Sequence, residues 1–332
     1  MNQKKKIDLD ENFYVAGASG MVGSAVVRTL KKNGYGKKNN GGNILIPSRQ
    51  ELDLLNAEKV DHWIKSHKPT VVIIAAAKVG GIFANSNQPY DFLLENLKIQ
   101  NNLIESSFKN NIKRLLFLGS SCIYPKFAKQ PIKEEYLLSS ELESTNEWYA
   151  LAKIAGIKLC QSLRVQYNFD AISLMPTNLY GPNDNYHPLN SHVVASLIRK
   201  FIEAKKNSYN TVECWGSGNP FREFMHVDDL GEAILFALEH WSPCDKHAPK
   251  DSKGNPLTYL NVGTGKDITI KDLSIMIARA TGFKGKIEWD LSKPDGTPKK
   301  LLDIGNLKNL GWQSNISLEE GIKKTIQDLE HF

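Results

Sequence analysis

One stretch decides the fold of this chain: Phe13-Tyr14-Val15-Ala16-Gly17-Ala18-Ser19-Gly20-Met21-Val22-Gly23. Its first four residues predict a buried strand, and the amphipathic segment from Met21 to Lys32 predicts a helix. Between them, glycines at Gly-x-x-Gly-x-x-Gly spacing permit a tight turn and leave the amides of the helix N-terminus open to a phosphate. This strand–turn–helix context predicts a dinucleotide site rather than an ordinary structural turn. Its expected contacts are Gly17, Ala18, Ser19, Gly20, Met21, Val22 and Gly23.

Beyond this stretch, short apolar runs alternate with amphipathic ones as far as residue 176. The alternation predicts an α/β fold with a Rossmann-type, doubly wound parallel sheet. We expect a dinucleotide-binding domain at 1–176, to which some later segments return, and a smaller α/β substrate lobe over most of 177–332. The polar segment 242–256 predicts an exposed loop. Further strands are predicted near 43–46, 70–76, 114–119 and 171–175, and helices near 57–67, 90–110 and 146–167.

Composition excludes several classes of protein. The net charge of +6 is modest, and lysine pairs such as 299–300 are dispersed, which predicts solvated surface and no nucleic-acid partner. No apolar run approaches the roughly 20 residues that span a bilayer, and no His/Asp/Glu cluster has metal-ligand spacing. We therefore expect neither a membrane segment nor a metal site. Four cysteines without paired spacing indicate a reducing, cytoplasmic compartment.

The end of the second predicted strand bears on the choice of cofactor. An acidic residue there would bind the ribose 2′-hydroxyl of NAD, whereas a cation would bind the 2′-phosphate of NADP. The chain has Pro47-Ser48-Arg49 at this place, so Arg49 favours NADP. Asp53 is placed to reach the adenine amine, although it could equally cap a helix. Use of both NADP and NAD stays open.

A Ser, Tyr and Lys set follows. Tyr149 and Lys153 are four residues apart on a predicted helix and therefore share one face. Ser120 lies at the carboxyl end of a predicted strand, where doubly wound sheets bind ligands. These groups suit carbonyl reduction: Lys153 would lower the pKa of Tyr149 and bind the nicotinamide ribose, Tyr149 would donate a proton, and Ser120 would hold the carbonyl oxygen. Further cofactor contacts are expected at Leu118, Gly119, Ser120 and Ser121.

Longer motifs carry a family resemblance. They are Leu118-Gly119-Ser120-Ser121-Cys122-Ile123-Tyr124-Pro125, Pro176-Thr177-Asn178-Leu179-Tyr180-Gly181-Pro182, Asn190-Ser191-His192-Val193, Trp215-Gly216-Ser217-Gly218, Arg222-Glu223-Phe224 and Lys293-Pro294-Asp295-Gly296-Thr297-Pro298. With them the chain resembles the extended short-chain dehydrogenase/reductases, and within these the epimerase/reductases that act on GDP-4-keto-6-deoxymannose.

The resemblance implies a two-step, NADPH-dependent reaction. GDP-4-keto-6-deoxy-D-mannose would undergo 3,5-epimerisation and then 4-keto reduction to GDP-L-fucose. Cys122 would be the base and His192 the acid, with His187 as the neighbouring histidine to test beside it. Pro176, Thr177, Asn178, Leu179 and His192 would border the cofactor, and Lys200, Trp215, Arg222 and Asp295 would bind the GDP-sugar. A homodimer through the helices at 90–110 and 146–167 is also implied.

Two alternatives stay open at this point. A relative on the same scaffold could reduce another GDP-4-keto sugar with one epimerisation or none, as in the formation of GDP-colitose or a GDP-deoxyheptose. Alternatively, the chain could be a non-catalytic, NADP(H)-binding regulatory protein, which would bind the cofactor tightly without turnover.

Overall fold

The computed structural model describes residues 5–188, 190–293 and 295–330. Strands and helices alternate in the first half of the chain, as its hydrophobic pattern predicts. The strands are β1 (Phe13–Ala16), β2 (Ile44–Leu45), β3 (Val71–Ile74), β4 (Arg114–Leu118) and β5 (Ala171–Pro176). The helices are α1 (Met21–Lys32), α2 (Ala57–His67), α3 (Ile82–Asn87), α4 (Pro89–Lys109) and α5 (Glu147–Tyr167).

The second half contributes shorter strands and five more helices among the described residues. The strands are β6 (Asn178–Tyr180), β7 (Thr211–Trp215), β8 (Phe221–His226), β9 (Tyr259–Val262), β10 (Asp267–Thr269), β11 (Lys286–Asp290) and β12 (Lys299–Lys300). The helices are α6 (Val193–Lys206), α7 (Val227–His240), α8 (Ile270–Thr281), α9 (Gly305–Asn309) and α10 (Leu318–Glu330).

The main sheet has six parallel strands in the order β2-β1-β3-β4-β5-β9. Its strands are covered on both faces, so their residues form continuous apolar runs. Val71 and Ile73 join the core on one face, and Val72 and Ile74 join the core on the other. Helices α1 and α7 pack together on the first face, and α2, α4 and α5 lie on the second. The Rossmann-type fold is thereby confirmed.

The crevice that the fold offers to a ligand follows from the strand order. Successive strands run outward in opposite directions from β1 and β3, so the connections after these two strands diverge and leave a gap at their carboxyl ends. The glycine turn begins at Gly17, directly after β1, and Ser120 follows β4 by two residues. The predicted cofactor and catalytic residues therefore lie along one edge of the sheet.

The second lobe, which the sequence predicts to bind substrate and which we call the substrate lobe, has β8 at its centre. This strand pairs in parallel with β6 and β12 and in antiparallel fashion with β10, while β7 and β11 form a separate parallel pair. A third apolar core joins these strands to α6, α8 and α10. The chain passes between the lobe and the main sheet several times: β6 follows β5 after one residue, α7 follows β8 directly, and β10 follows β9 after a short turn.

Other expectations concern the surface and the compartment. None of the described helices combines the length and the apolar character that a bilayer span requires. Within 5–188, 190–293 and 295–330, no group of three His, Cys, Asp or Glu side chains is arranged to hold a metal ion, and all four cysteines are free thiols. The segment 242–256 is mostly exposed, and its Ser252 N–H donates to Glu135 Oε2 at 3.0 Å.

Candidate active site

The glycine turn has the shape of a phosphate cradle. Gly17 adopts φ +86°, and a Cβ there would lie 2.7 Å from the backbone nitrogen of Ala76 beyond β3. A Cβ on Gly23 would lie 2.1 Å from the Gly17 carbonyl oxygen, so the helix could not approach the turn with any larger residue. Gly20 is the N-cap of α1 and brings no side chain to its N-terminal amides. A dinucleotide pyrophosphate fits this exposed, positively polarised helix end.

The segment after β2 leaves Arg49 available to a ligand. Its guanidinium is exposed. The nearest acid, Glu51, is engaged locally, because its Oε2 accepts from the Ser48 N–H at 2.7 Å. Asp53 makes a turn of its own, with Oδ1 accepting from the Leu55 N–H at 3.1 Å, and Asn56 rather than Asp53 is the N-cap of α2. Contacts of Arg49 with a 2′-phosphate and of Asp53 with adenine stay predictions.

Ser120, Tyr149 and Lys153 come together at the end of β4. The Ser120 side chain forms a hydrogen bond with the Tyr149 hydroxyl and also accepts from the Cys122 N–H at 3.3 Å. Lys153 is 3% exposed; its Nζ donates to the Leu118 carbonyl oxygen at 2.7 Å and lies 5.8 Å from the centre of the Tyr149 ring. The backbone of β4 thus fixes the lysine, and the lysine in turn lies beneath the tyrosine.

The electrostatics of this set are governed by burial. Burial raises the pKa of the Tyr149 hydroxyl, and the nearby Cys122 adds to this effect while the Ser120 hydrogen bond opposes it. Burial lowers the pKa of Lys153 to about 7, so its side-chain amine is only partly protonated at neutral pH. Burial is the largest effect on the Tyr149 pKa, and a lowering of that pKa by Lys153 stays a prediction. Tyr149 is held in its protonated form, which is the form that can donate a proton.

Cys122 lies in a single turn of 3₁₀-helix, Ser121–Ile123, that begins directly after Ser120. Two donors reach its sulfur: Asn146 Nδ2 at 3.6 Å and Lys300 Nζ at 4.0 Å. The sequence predicts that the lysine pair 299–300 lies on the solvated surface. In the structure Lys300 is half-buried and brings a cation to this thiol, because β12 pairs with β8 beside the site.

His192 is held at the meeting of the two lobes. It is the N-cap of α6, and its ring makes no capping hydrogen bond. The residues before it pack on the loop after β3, where the Gly81 N–H donates to the Asn190 carbonyl oxygen at 3.2 Å. Although the imidazole is solvent-accessible, the surrounding protein partly desolvates it and lowers its pKa. His187 is exposed one turn earlier, where its carbonyl oxygen accepts from the Ser191 N–H.

Three of the predicted substrate residues surround one turn. Asp295 accepts from the backbone N–H and the hydroxyl of Ser217 at 2.7 and 2.8 Å, which fastens the turn after β7. Trp215 is 52% exposed, and the ammonium groups of Lys200 and Lys293 both lie 5.6 Å from its ring centre. Aromatic surface and cations are thus presented together. The adjoining Pro294 lies outside the described residues.

Arg222 lies between this turn and Cys122. It faces Lys300 across the β8–β12 pair. Burial lowers the pKa of the Arg222 guanidinium, while the charges of Glu143 and Asp295 act in the opposite direction. Glu143 is itself ion-paired with Lys126 at 3.0 Å. A half-buried arginine opposite a lysine suits a diphosphate, which guanidinium groups bind bidentately.

Glu223 is the residue that sequence reasoning overlooks. It is 0% exposed. Its carboxylate accepts from the N–H groups of Thr264, Gly265 and Leu302 at 2.6, 2.7 and 3.0 Å. Its carbonyl oxygen accepts from Thr177 and Asn178, two of the residues expected to border the cofactor with Pro176 and Leu179. The only sequence signal is its place between Arg222 and Phe224.

Comparison with known proteins agrees with this geometry. Residues 13–247 match the model of the NAD dependent epimerase/dehydratase family. The chain belongs to this family. Within it, GDP-L-fucose synthase 1 of Arabidopsis thaliana is 50% identical over 318 residues, covering 96% of this chain and 93% of the plant protein. GDP-L-fucose synthase of Escherichia coli K12 is 48% identical and covers 96% of each chain.

The structural similarity is equally extensive. GDP-mannoheptose C4 reductase from Campylobacter jejuni, solved with NADP bound, superposes with a TM-score of 0.85. It is 35% identical and the match covers 98% of this chain and 99% of that one. The similarity therefore extends through both lobes of the chain.

Proposed function

We propose that the chain is an NADPH-dependent epimerase/reductase that converts GDP-4-keto-6-deoxy-D-mannose to GDP-L-fucose. The observation that carries this proposal is the convergence of the Ser120–Tyr149–Lys153 set with Cys122, a potential base within two residues of the serine. A plain reductase needs only the first three groups. Full-length similarity to GDP-L-fucose synthases at 48–50% identity supports the same substrate.

In the epimerisation the protein moves protons next to a ketone. The hydrogens on C3 and C5 of the sugar are acidic because the C4 carbonyl can accept the electron pair as an enolate. Cys122, as thiolate, takes the proton, and the Ser120 and Tyr149 hydroxyls stabilise the enolate oxygen. His192, an imidazole whose pKa is lowered by the surrounding protein, donates a proton to the opposite face of the carbon and so inverts it.

In the reduction the same oxygen receives a proton. NADPH, when bound in the glycine cradle, supplies hydride to C4. Tyr149 donates its proton to the developing C4 alkoxide, which its raised pKa allows because the hydroxyl stays protonated until that moment. Lys153, anchored on Leu118, holds the tyrosine and the nicotinamide ribose in position. Arg222 and Lys300 bind the diphosphate of the substrate, and Lys200, Trp215 and Asp295 shape the place of its nucleoside.

Two properties of the whole molecule belong to this proposal. Tyr90, Trp148 and Leu151 on α4 and α5 are 72%, 39% and 37% exposed, which favours burial of these helices in a homodimer. Free thiols in all four cysteines favour a cytoplasmic enzyme.

A heptose-type reduction is the second candidate, because the Campylobacter jejuni reductase shares the fold at 35% identity.

NADPH consumption with GDP-4-keto-6-deoxymannose in heavy water separates the candidates, with an enzyme-free sample as control. Deuterium at both C3 and C5 of the product, with one NADPH oxidised per sugar, is the expected result. Reduction with label at one carbon or neither would move the assignment to another GDP-keto sugar. Bound NADPH without oxidation would indicate a regulatory protein or another substrate class.

A further inference from the structure

Asn146 lies in the active site without doing what an asparagine at its position usually does. It is the N-cap of α5, three residues before Tyr149, where an asparagine oxygen commonly accepts from the first turn of the helix. Its side chain makes no such capping hydrogen bond. Asn56, the N-cap of α2, shows the usual arrangement, with Oδ1 accepting from the Lys59 N–H at 2.9 Å.

The two ends of the Asn146 amide differ in their contacts. Nδ2 approaches the Cys122 sulfur at 3.6 Å. Oδ1 is buried and has no hydrogen-bond partner within the described part of the chain. Leaving a buried acceptor unpaired destabilises a folded protein, so an unpaired acceptor beside the proposed base needs an explanation. Asn146 Oδ1 is thus an unpaired acceptor in the site. The protein would be more stable if this oxygen capped α5 or were absent.

We propose that Asn146 Oδ1 accepts a hydrogen bond from the 3-hydroxyl of the sugar while its amide N–H holds the sulfur of Cys122 against C3. This inference rests on the proposed function and adds a residue to its site. The ketone acidifies two carbons, C3 and C5, and of these only C3 carries a hydroxyl. Because Nδ2 and Oδ1 belong to one planar amide, a hydroxyl bound at Oδ1 lies next to the sulfur.

The consequence is a division of labour within the epimerisation. When the C3–H bond breaks, its proton passes to the Cys122 sulfur and its electron pair moves onto O4. Asn146 fixes both the base and the carbon for this step. At C5, which carries a methyl group and the ring oxygen, Oδ1 has no hydroxyl to bind. Loss of Asn146 should therefore slow proton exchange at C3 more than at C5.

The test compares Asn146→Ala with Asn56→Ala, the same change at the ordinary cap. Exchange is measured in heavy water with NADP⁺ in place of NADPH, so that no reduction interferes. C3 exchange is read with GDP-4-keto-6-deoxymannose and C5 exchange with its 3-deoxy analogue. For Asn146→Ala we expect C3 exchange to fall about tenfold, the loss of one hydrogen bond, and C5 exchange to stay within about twofold. Asn56→Ala should lower the melting temperature and leave both exchange rates unchanged.

Other outcomes would overturn the inference. Equal losses at C3 and C5 would mean that Asn146 acts through the sulfur alone, and unchanged rates would mean that it has no part in exchange. A weaker Kd for NADPH in Asn146→Ala would assign Oδ1 to the nicotinamide amide instead. If the wild-type protein neither exchanges these protons nor oxidises NADPH with this sugar, the proposed function itself fails, and the variants play no part in that result.

Discussion

The turn at 17–23 lies in the half of the molecule built on the main sheet, here called the cofactor half, and the turn at 215–218 lies in the substrate lobe. The two turns are suited to their proposed ligands by different means. In the first, side chains are removed: a Cβ on Gly17 or Gly23 would run into backbone atoms, and the ligand meets main-chain amides. In the second, a charged side chain from a distant segment holds the turn, because Asp295 accepts from the Ser217 N–H across 78 positions of sequence. Added volume at Gly17 or Gly23 should therefore damage the cofactor half, whereas loss of the charge of Asp295 should damage the substrate lobe.

Tyr149→Phe should have the largest effect, because the proposed reduction needs the Tyr149 hydroxyl to protonate the C4 oxygen of the substrate as the cofactor delivers hydride to C4. Loss of the proton donor should slow hydride transfer about a thousandfold. NADPH and GDP should still bind with nearly unchanged Kd, since neither the glycine turn nor Arg222 is altered. Stopped-flow measurement of NADPH oxidation and calorimetric titration of both ligands would check this.

Tyr167→Phe is the matched control for this prediction. It removes a hydroxyl from the same helix, but Tyr167 is 54% exposed at the far end of α5. This variant should keep the wild-type rate. Full turnover by Tyr149→Phe would show that Tyr149 is not the proton donor and that another group protonates the C4 oxygen.

The sequence predicts the cofactor half well for a physical reason. Helices α1 and α2 have the predicted bounds, 21–32 and 57–67, because their apolar period lies within the segments and their capping residues adjoin them directly. Helix α3 (Ile82–Asn87) goes unpredicted, since six residues are too few to show a period. Likewise β6 is paired by β8, some 45 residues away, and no local pattern reports that pairing.

The same distinction applies to the site. Ser120, Tyr149 and Lys153 are predicted because strand end and helix face determine their positions locally. The sequence predicts that Lys300 belongs to a pair of surface lysines. Only the pairing of β12 with β8, which sets Lys300 opposite Arg222, brings it to the Cys122 sulfur. The structural role of Glu223 cannot be predicted locally either, because all three of its backbone partners lie more than 40 residues away.

The junction of the two halves should be sensitive to acid through His226. This histidine is 0% exposed, ends β8 in the substrate lobe and caps α7 on the main sheet by accepting from the Asp228 N–H. Burial lowers the pKa of its imidazole to about 4, although Asp228 favours the charged form. The folded state therefore binds fewer protons than the unfolded chain between pH 4 and 6.5.

It follows that His226 removes stability as the pH falls through this window. A pKa lowered by about 2.5 units corresponds to a loss of about 3 kcal/mol in the free energy of unfolding. Urea titrations at pH 6.5 and 4 should show that His226→Asn, which retains a capping acceptor, loses correspondingly less between the two. Parallel losses in both proteins would place the acid sensitivity in other groups.

Glu223→Gln should weaken binding of the GDP-sugar without weakening binding of NADPH, and its effect should be smaller than that of Tyr149→Phe. Its amide would set an N–H against one of the backbone donors from Thr264, Gly265 or Leu302, and β12 with Lys300 would shift. We expect the KM for the GDP-sugar to rise about tenfold, which corresponds to the loss of one hydrogen bond. The Kd for NADPH should stay within about twofold of the wild-type value. Glu288→Gln, the same change at an exposed strand residue of this lobe, should alter neither. Equal weakening of both ligands would show that Glu223 supports the whole fold.

Arg49→Met tests the cofactor half, at the one place where its selectivity is expected to depend on charge. Arg49 is exposed, and an ion pair with a 2′-phosphate in water is modest. We therefore expect the Kd for NADPH to rise about fivefold. The Kd for NADH, which has no 2′-phosphate, should stay as it is. Fluorescence titration of both cofactors measures the ratio.

The control for Arg49→Met is Arg279→Met, which removes the same charge from the exposed last turn of α8 in the substrate lobe. If general attraction of anions by the net charge of +6 were at work, both variants would weaken NADPH alike. If Arg49 binds the 2′-phosphate, only its own variant changes the NADPH-to-NADH ratio. Weakening of NADPH and NADH together by Arg49→Met would instead mean that the arginine supports the turn after β2, and that this half selects its ligand by shape throughout.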